Sequence, residues 1–65
     1  MITTYVNKLT DLLRDDLNQH GGDYDAWAEC VTDCPSDDVV QYMKSVPEAL
    51  HDDAWGQALD NMKPD

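Results

Sequence analysis

Positive charge is what this sequence has least of. Four of its 65 residues are Lys or Arg, against fourteen Asp and Glu, which leaves a formal net charge of -10. Binding to a nucleic-acid backbone uses clustered cations that displace condensed counterions, and adhesion to an anionic membrane uses the same residues. Direct nucleic-acid binding and membrane binding are therefore both disfavoured. No apolar run approaches the ~20 residues that span a bilayer, and no basic start leads into an apolar stretch of the signal-peptide kind. The expected setting is the cytoplasm.

Catalytic and metal motifs are missing as well. The chain has no nucleophile elbow, no Gly-rich phosphate loop and no His-Glu zinc motif. A core built from 65 residues leaves little room for the desolvated pocket that a general acid needs, so no enzymatic activity is expected. Cys30 and Cys34 lack the Cys-x-x-Cys spacing of zinc ribbons and redox motifs. With His20 and His51 they also miss the zinc-finger spacing. The expectation is two reduced thiols, Cys34 buried and Cys30 at the edge of an apolar face. Asp16-x-Asn18-x-His20-Gly21 begins like a calcium loop, but Trp27 stands at the twelfth position, where a bidentate Glu belongs. No metal and no cofactor is expected.

What is present is apolar pattern. Hydrophobic residues make up 42% of the chain, close to globular usage, and two Trp and three Tyr supply large side chains for a core. A disordered acidic chain has neither. In residues 4–20, Tyr5, Val6, Leu9, Leu12, Leu13 and Leu17 follow the stripe of an amphipathic helix, with Thr3 or Thr4 as its cap and Gly21-Gly22 as its stop. In residues 23–34, Asp23 caps a second helix carrying Tyr24, Trp27, Ala28, Val31 and Cys34, which Pro35 ends. Ser36 opens a third, with Val39, Val40, Met43 and Val46 inward, closed by Pro47. Ser45-Val46-Pro47-Glu48 has the form of a capping box for a fourth helix through Leu50, Ala54, Trp55, Ala58, Leu59 and Met62. Asp52 is an alternative start, which leaves residues 48–50 as a separate turn. The pattern predicts one all-α domain over residues 1–65, a compact bundle of three or four short helices around Leu9, Leu13, Leu17, Trp27, Val31, Val40, Met43, Leu50, Trp55 and Leu59. Asp25-Ala26-Trp27 recurs as Asp53-Ala54-Trp55, read as two amphipathic helices with the same start chemistry.

The acids are the informative feature. Twelve of the fourteen are Asp, although Glu is the better helix former. Asp23, Asp37, Asp38 and Asp52 stand at helix starts, where an acid favours the dipole. Asp25, Glu29 and Asp33 do not: they fall at i, i+4 and i+8, opposite the apolar face, and Asp11 and Asp15 make the same step. Like charges so placed destabilise a helix by ~0.2–0.5 kcal/mol per pair. Four residues rise ~6 Å along a helix, a spacing similar to that of phosphates along a DNA strand. Rows of short, stiff Asp side chains can thus present a potential like that of a nucleic-acid backbone. The candidate partner-binding residues are Asp11, Asp15, Asp25, Glu29, Asp33, Asp53 and Asp60, and the expected partner is a basic nucleic-acid-binding protein or complex, with a homodimer also open.

In size, acidity and helicity the chain resembles the small DNA-mimic inhibitors of phages and other mobile elements, the anti-CRISPR and anti-restriction proteins. That resemblance implies an inhibitor acting in the host-cell cytoplasm, which occupies the groove where a defence complex reads DNA. Two alternatives stay open. One is a protein-interaction module of antitoxin or anti-activator type, which binds through an apolar patch anchored by Trp27, Tyr24 or Tyr42. The other is a domain from a high-salt source. Crowded acids repel, and salt screens them beyond a Debye length of ~10 Å at 0.1 M. The melting temperature is therefore expected to rise as sodium chloride goes from about 10 mM to about 0.2 M. A flat or falling series in differential scanning calorimetry would show that the acid rows are unstrained.

Overall fold

The computed structural model describes residues 2–63. Helices Ile2–Gln19 (α1), Tyr24–Asp33 (α2), Asp37–Ser45 (α3) and His51–Met62 (α4) follow one another through short turns, with a 3-10 turn at Glu48–Leu50 ahead of α4. No strand occurs among the described residues, and the chain is an all-α bundle of four short helices. No helix among them is long and apolar enough to cross a membrane.

The helix ends follow from local chemistry, with two departures from the sequence pattern. Thr3 and Thr4 do not cap α1; they lie exposed inside its first turn. Ile2 packs on the core and draws that turn into the helix. At the other end, the Gly22 N–H donates to the Leu17 carbonyl at 3.0 Å and the Gly21 N–H to Asn18 at 3.3 Å. This is a Schellman closure, and it needs left-handed backbone, supplied by Gly21 at φ 90° and Gly22 at φ 80°. An Asp23 carboxylate oxygen then accepts from the Ala26 N–H at 3.4 Å and starts α2. The Ser36 hydroxyl likewise accepts from Val39 and starts α3. The Ser45 capping box does not form. Ser45 is the last residue of α3, and its hydroxyl donates to the Tyr42 carbonyl at 2.7 Å. Residues 48–50 form the separate turn instead, and α4 begins at His51 without a side-chain cap.

The core lies along α1, which packs mainly on α4 and also on α3. Val6, Leu9 and Leu13 of α1, Trp27 and Val31 of α2, Val39 of α3, and Ala54 and Ala58 of α4 form one buried cluster. Ala54 and Ala58, one turn apart, are fully buried; residues this small let two helix backbones come close, and they put α1 and α4 at the centre of the bundle. Two polar contacts add to the packing. The Asn61 amide donates to the Thr10 hydroxyl at 3.4 Å, joining α4 to α1, and the Tyr24 hydroxyl donates to the Leu59 carbonyl at 3.3 Å, joining α2 to α4.

Of the expected core, Leu9, Leu13, Trp27 and Val31 are buried, and Leu17, Met43, Leu50, Trp55 and Leu59 are half-buried. Val40 is the error. It is 36% exposed, while its neighbour Val39 is fully buried, because the rotation of α3 against α1 brings only one of two adjacent valines inward. The repeated tripeptide divides in the same way. Trp27 is buried and Ala26 exposed, whereas Ala54 is buried and Trp55 half-buried. The two copies turn different faces to the core, so they do not form a structural repeat. Replacing Val39 by Ala is expected to cost about 2 kcal/mol, and Val40 by Ala less than about 0.5 kcal/mol. Equal shifts of the urea midpoint for the two variants would contradict this rotation of α3.

Candidate functional site

All seven candidate acids are exposed: Asp11 and Asp15 on α1, Asp25, Glu29 and Asp33 on α2, and Asp53 and Asp60 on α4. With Asp23, Asp37, Asp38, Glu48 and Asp52, twelve of the thirteen described carboxylates face solvent. Lys8, Arg14, Lys44 and Lys63 are exposed too, yet none of them pairs with a carboxylate among the described residues. The outward charge is therefore locally uncompensated. On α2, Trp27 and Val31 take the inner face, and Asp25, Glu29 and Asp33 stand as an outer row about 12 Å long at 1.5 Å rise per residue.

The structure also joins acids that sequence spacing had kept apart. A polar cleft of about 150 Å³ between the end of α1 and the start of α3 is lined by Asp15, Gln19, Ser36, Asp37 and Asp38, with the buried Asp16 at its wall. Asp37 and Asp38 are not consumed as caps, since Ser36 supplies the cap of α3. Asp25 lies with Asp23 and Tyr24 at a second cleft, beside Leu17 and Met62. Asp11, Glu29, Asp33, Asp53 and Asp60 line neither cleft. The acids therefore occupy several faces of the bundle.

The thirteenth carboxylate, Asp16, is 5% exposed. The Trp27 indole N–H donates to its Oδ2 at 3.1 Å, and the His20 Nε2 stands 3.6 Å from its Oδ1. Residues one and twelve of the apparent calcium loop thus close on each other. Asp16 is inside α1 and turned to the core, where it receives the one polar atom of a ring whose remainder is apolar. Among the described residues no three His, Cys, Asp or Glu side chains are grouped to hold a metal ion. Cys30 and Cys34 are free thiols and both exposed. The expected burial of Cys34 is overturned because it is the C-cap of α2, with φ -136°, beyond the last helical residue that faces the core.

A second surface escaped the sequence pattern. Pro35, Val40, Met43, Lys44, His51 and Trp55 line an open, predominantly apolar groove of about 370 Å³ between α3 and the start of α4. The His51 Nε2 lies 2.8 Å from the Val46 carbonyl, which holds the ring at one edge. Trp27 is 2% exposed and Trp55 half-buried, so Trp55 is the tryptophan that reaches the surface. Apolar residues at helical spacing all look like core in a sequence; the signal for this groove was the surplus of them, Val39 beside Val40 and Ala54 beside Trp55. Burial, and secondarily the neighbouring Tyr5, raise the Tyr42 phenol above its ordinary value of 10.0, so Tyr42 adds no charge at neutral pH.

The indole–carboxylate contact has a measurable weight. A double-mutant cycle of Trp27→Phe and Asp16→Ala, followed by urea unfolding, is expected to give a coupling of about 1–2 kcal/mol. Strict additivity would mean that the bond contributes nothing to the attachment of α2.

The chain matches no protein-family model, and neither the curated proteins nor the solved structures give a match.

Proposed function

We propose that this protein is an inhibitor that binds a basic nucleic-acid-binding protein or complex and blocks its DNA site by presenting carboxylates where the partner receives phosphates. The observation that carries this reading is the exposed acid without pairing: twelve carboxylates in solvent and no Lys or Arg partner among the described residues. A chain that needed acid only for solubility gains nothing from rows of like charge, each a small cost to its own helix. The same rows lower the free energy of a complex when a cationic groove arrives, and opposed charge fields speed the encounter. Helical scaffolding holds the Asp carboxylates at near-fixed spacing, with little side-chain entropy left to lose on binding. This is the mode of action of a binding protein, not an enzyme. Its target class is host defence machinery of the CRISPR or restriction kind, met in the host cytoplasm.

The test is displacement of labelled DNA from DNA-binding partners captured with the protein, measured at several salt concentrations. Two triple variants change net charge equally. One neutralises the α2 row as Asp25→Asn, Glu29→Gln and Asp33→Asn. The other adds three cations at the exposed positions Asn7, Gln41 and Gln57, each replaced by Lys. The row variant is expected to lose about tenfold in displacement and the control under about threefold, with both effects shrinking as salt rises. A stable ternary complex of partner, DNA and this protein, indifferent to the row variant, would rule out mimicry at that groove.

A further inference from the structure

The apolar groove between α3 and α4 is lined by no carboxylate and is unaccounted for by charge mimicry. Among the described residues Val40 is the exposed large hydrophobic, at 36%, and Trp55 and Met43, which line the same groove, are half-buried. Met43 and Trp55 rest partly on the buried cluster to which Val39 and Ala54 belong, and their remaining surface, with Val40, lines the groove. The groove is open and its lining is almost wholly apolar, the form that receives a side chain and not a phosphate.

Charge around the groove selects what enters it. Asp37 stands three residues before Val40 and Asp52 three before Trp55, and both acids are exposed. Residues three apart on a helix are neighbours on its surface, about 5–6 Å apart at Cβ. Asp37, which also borders the polar cleft beside α1, and Asp52 thus stand about one turn from the two apolar anchors without lining the groove itself. Lys44 also lines the groove, and a lysine in that position covers apolar surface with its stem while the ammonium stays in water. A second copy of this chain is a poor occupant, because each copy brings a formal charge of -10. A segment with an apolar side chain between cations is a good one.

We infer that this groove seats a large aliphatic side chain carried on a Lys- or Arg-flanked segment of the partner, with Val40, Met43 and Trp55 as the apolar walls and Asp37 and Asp52 receiving the flanking cations. This rests on the basic partner proposed above and adds to it an anchor that salt does not screen. Binding through acid alone fades as ionic strength rises; an apolar side chain buried in the groove persists. The anchor also discriminates among basic proteins, since acid rows accept any cationic surface whereas the groove accepts those that offer a side chain of fitting size at the right place.

The probes are three synthetic twelve-residue peptides added to isotope-labelled protein and followed by NMR. The first combines Lys with Leu at helical spacing, the second has the same Lys with Ser for every Leu, and the third has the same Leu with Glu for every Lys. The first is expected to shift the Val40 and Met43 methyls and the Trp55 indole N–H. It should bind about tenfold tighter than the second and retain that margin at 0.5 M salt. The second should move only signals of the acids, and the third should not bind. Val40→Asn should remove the advantage of the first peptide and leave the second unchanged, with the urea midpoint confirming that the variant is folded. If both lysine peptides move the acids alike and the groove stays silent, the inference fails while the basic-partner reading stands. If neither lysine peptide binds at low salt, that reading fails with it. Binding of the glutamate peptide in the groove, or groove signals that change with protein concentration, would replace the basic segment with an acidic one or with a second copy and overturn the proposal.

Discussion

The hydrogen bond from the Trp27 indole to the buried Asp16 carboxylate decides how α2 lies on α1. Burying a carboxylate is costly unless it is hydrogen-bonded, and a buried indole N–H also needs an acceptor. Each group meets the other's requirement, and neither is met when α2 is rotated or slid along α1. The Gly21-Gly22 closure reverses the chain in a span short enough for residues 16 and 27 to meet. With Trp27 and Val31 thus turned inward, Asp25, Glu29 and Asp33 have no place but the outer face. That contact fixes where the apolar face of α2 meets α1, and the acid row on the opposite face is left in solvent.

A second constraint is size. A chain of 65 residues has a large surface for its volume, so the interior must be efficient. Ala54 and Ala58 bring α4 against α1, while Leu9, Leu13, Val31 and Val39 fill the space beside them. An interior made of so few side chains accommodates Asp16 and no further charge; every other described carboxylate is left in solvent. Among the described residues the acid charge therefore lies at the surface without Lys or Arg pairs, and salt acts directly on it.

The proposed binding uses two kinds of surface. The acids act at long range, are sensitive to salt and are tolerant of geometry. The groove beside Val40 and Trp55 acts at contact distance, persists in salt and depends on shape. Proteins that must find one cationic target among many benefit from both, because fields accelerate encounter while fitted apolar contacts separate the right partner from the wrong one. In the proposed complex, Asp37 and Asp52, about one helical turn from Val40 and Trp55, let a single docked segment engage both kinds at once.

Helix content, order and most of the ends were legible in the sequence, because they are set by local rules: the period of Leu9, Leu13 and Leu17, the acceptors at Asp23 and Ser36, the glycine pair, and the prolines. The exposure of the seven candidate acids was legible for the same reason, since an unpaired carboxylate opposite an apolar face points to water. What local rules do not contain is rotation. Val39 and Val40 are chemically identical, as are the two Asp-Ala-Trp tripeptides, and only contact with α1 decides that Val39, Trp27 and Ala54 go fully inward while Val40 stays exposed and Trp55 half-buried. Asp16 was hidden likewise, because its partner Trp27 lies on another helix. The sequence by itself determined the helices and the sign of the surface, both of which depend on residues within a turn or two of each other. Only the tertiary structure decided which apolar residues were surplus to the core and which acid belonged inside it, because those choices are made by side chains from different helices competing for one small interior.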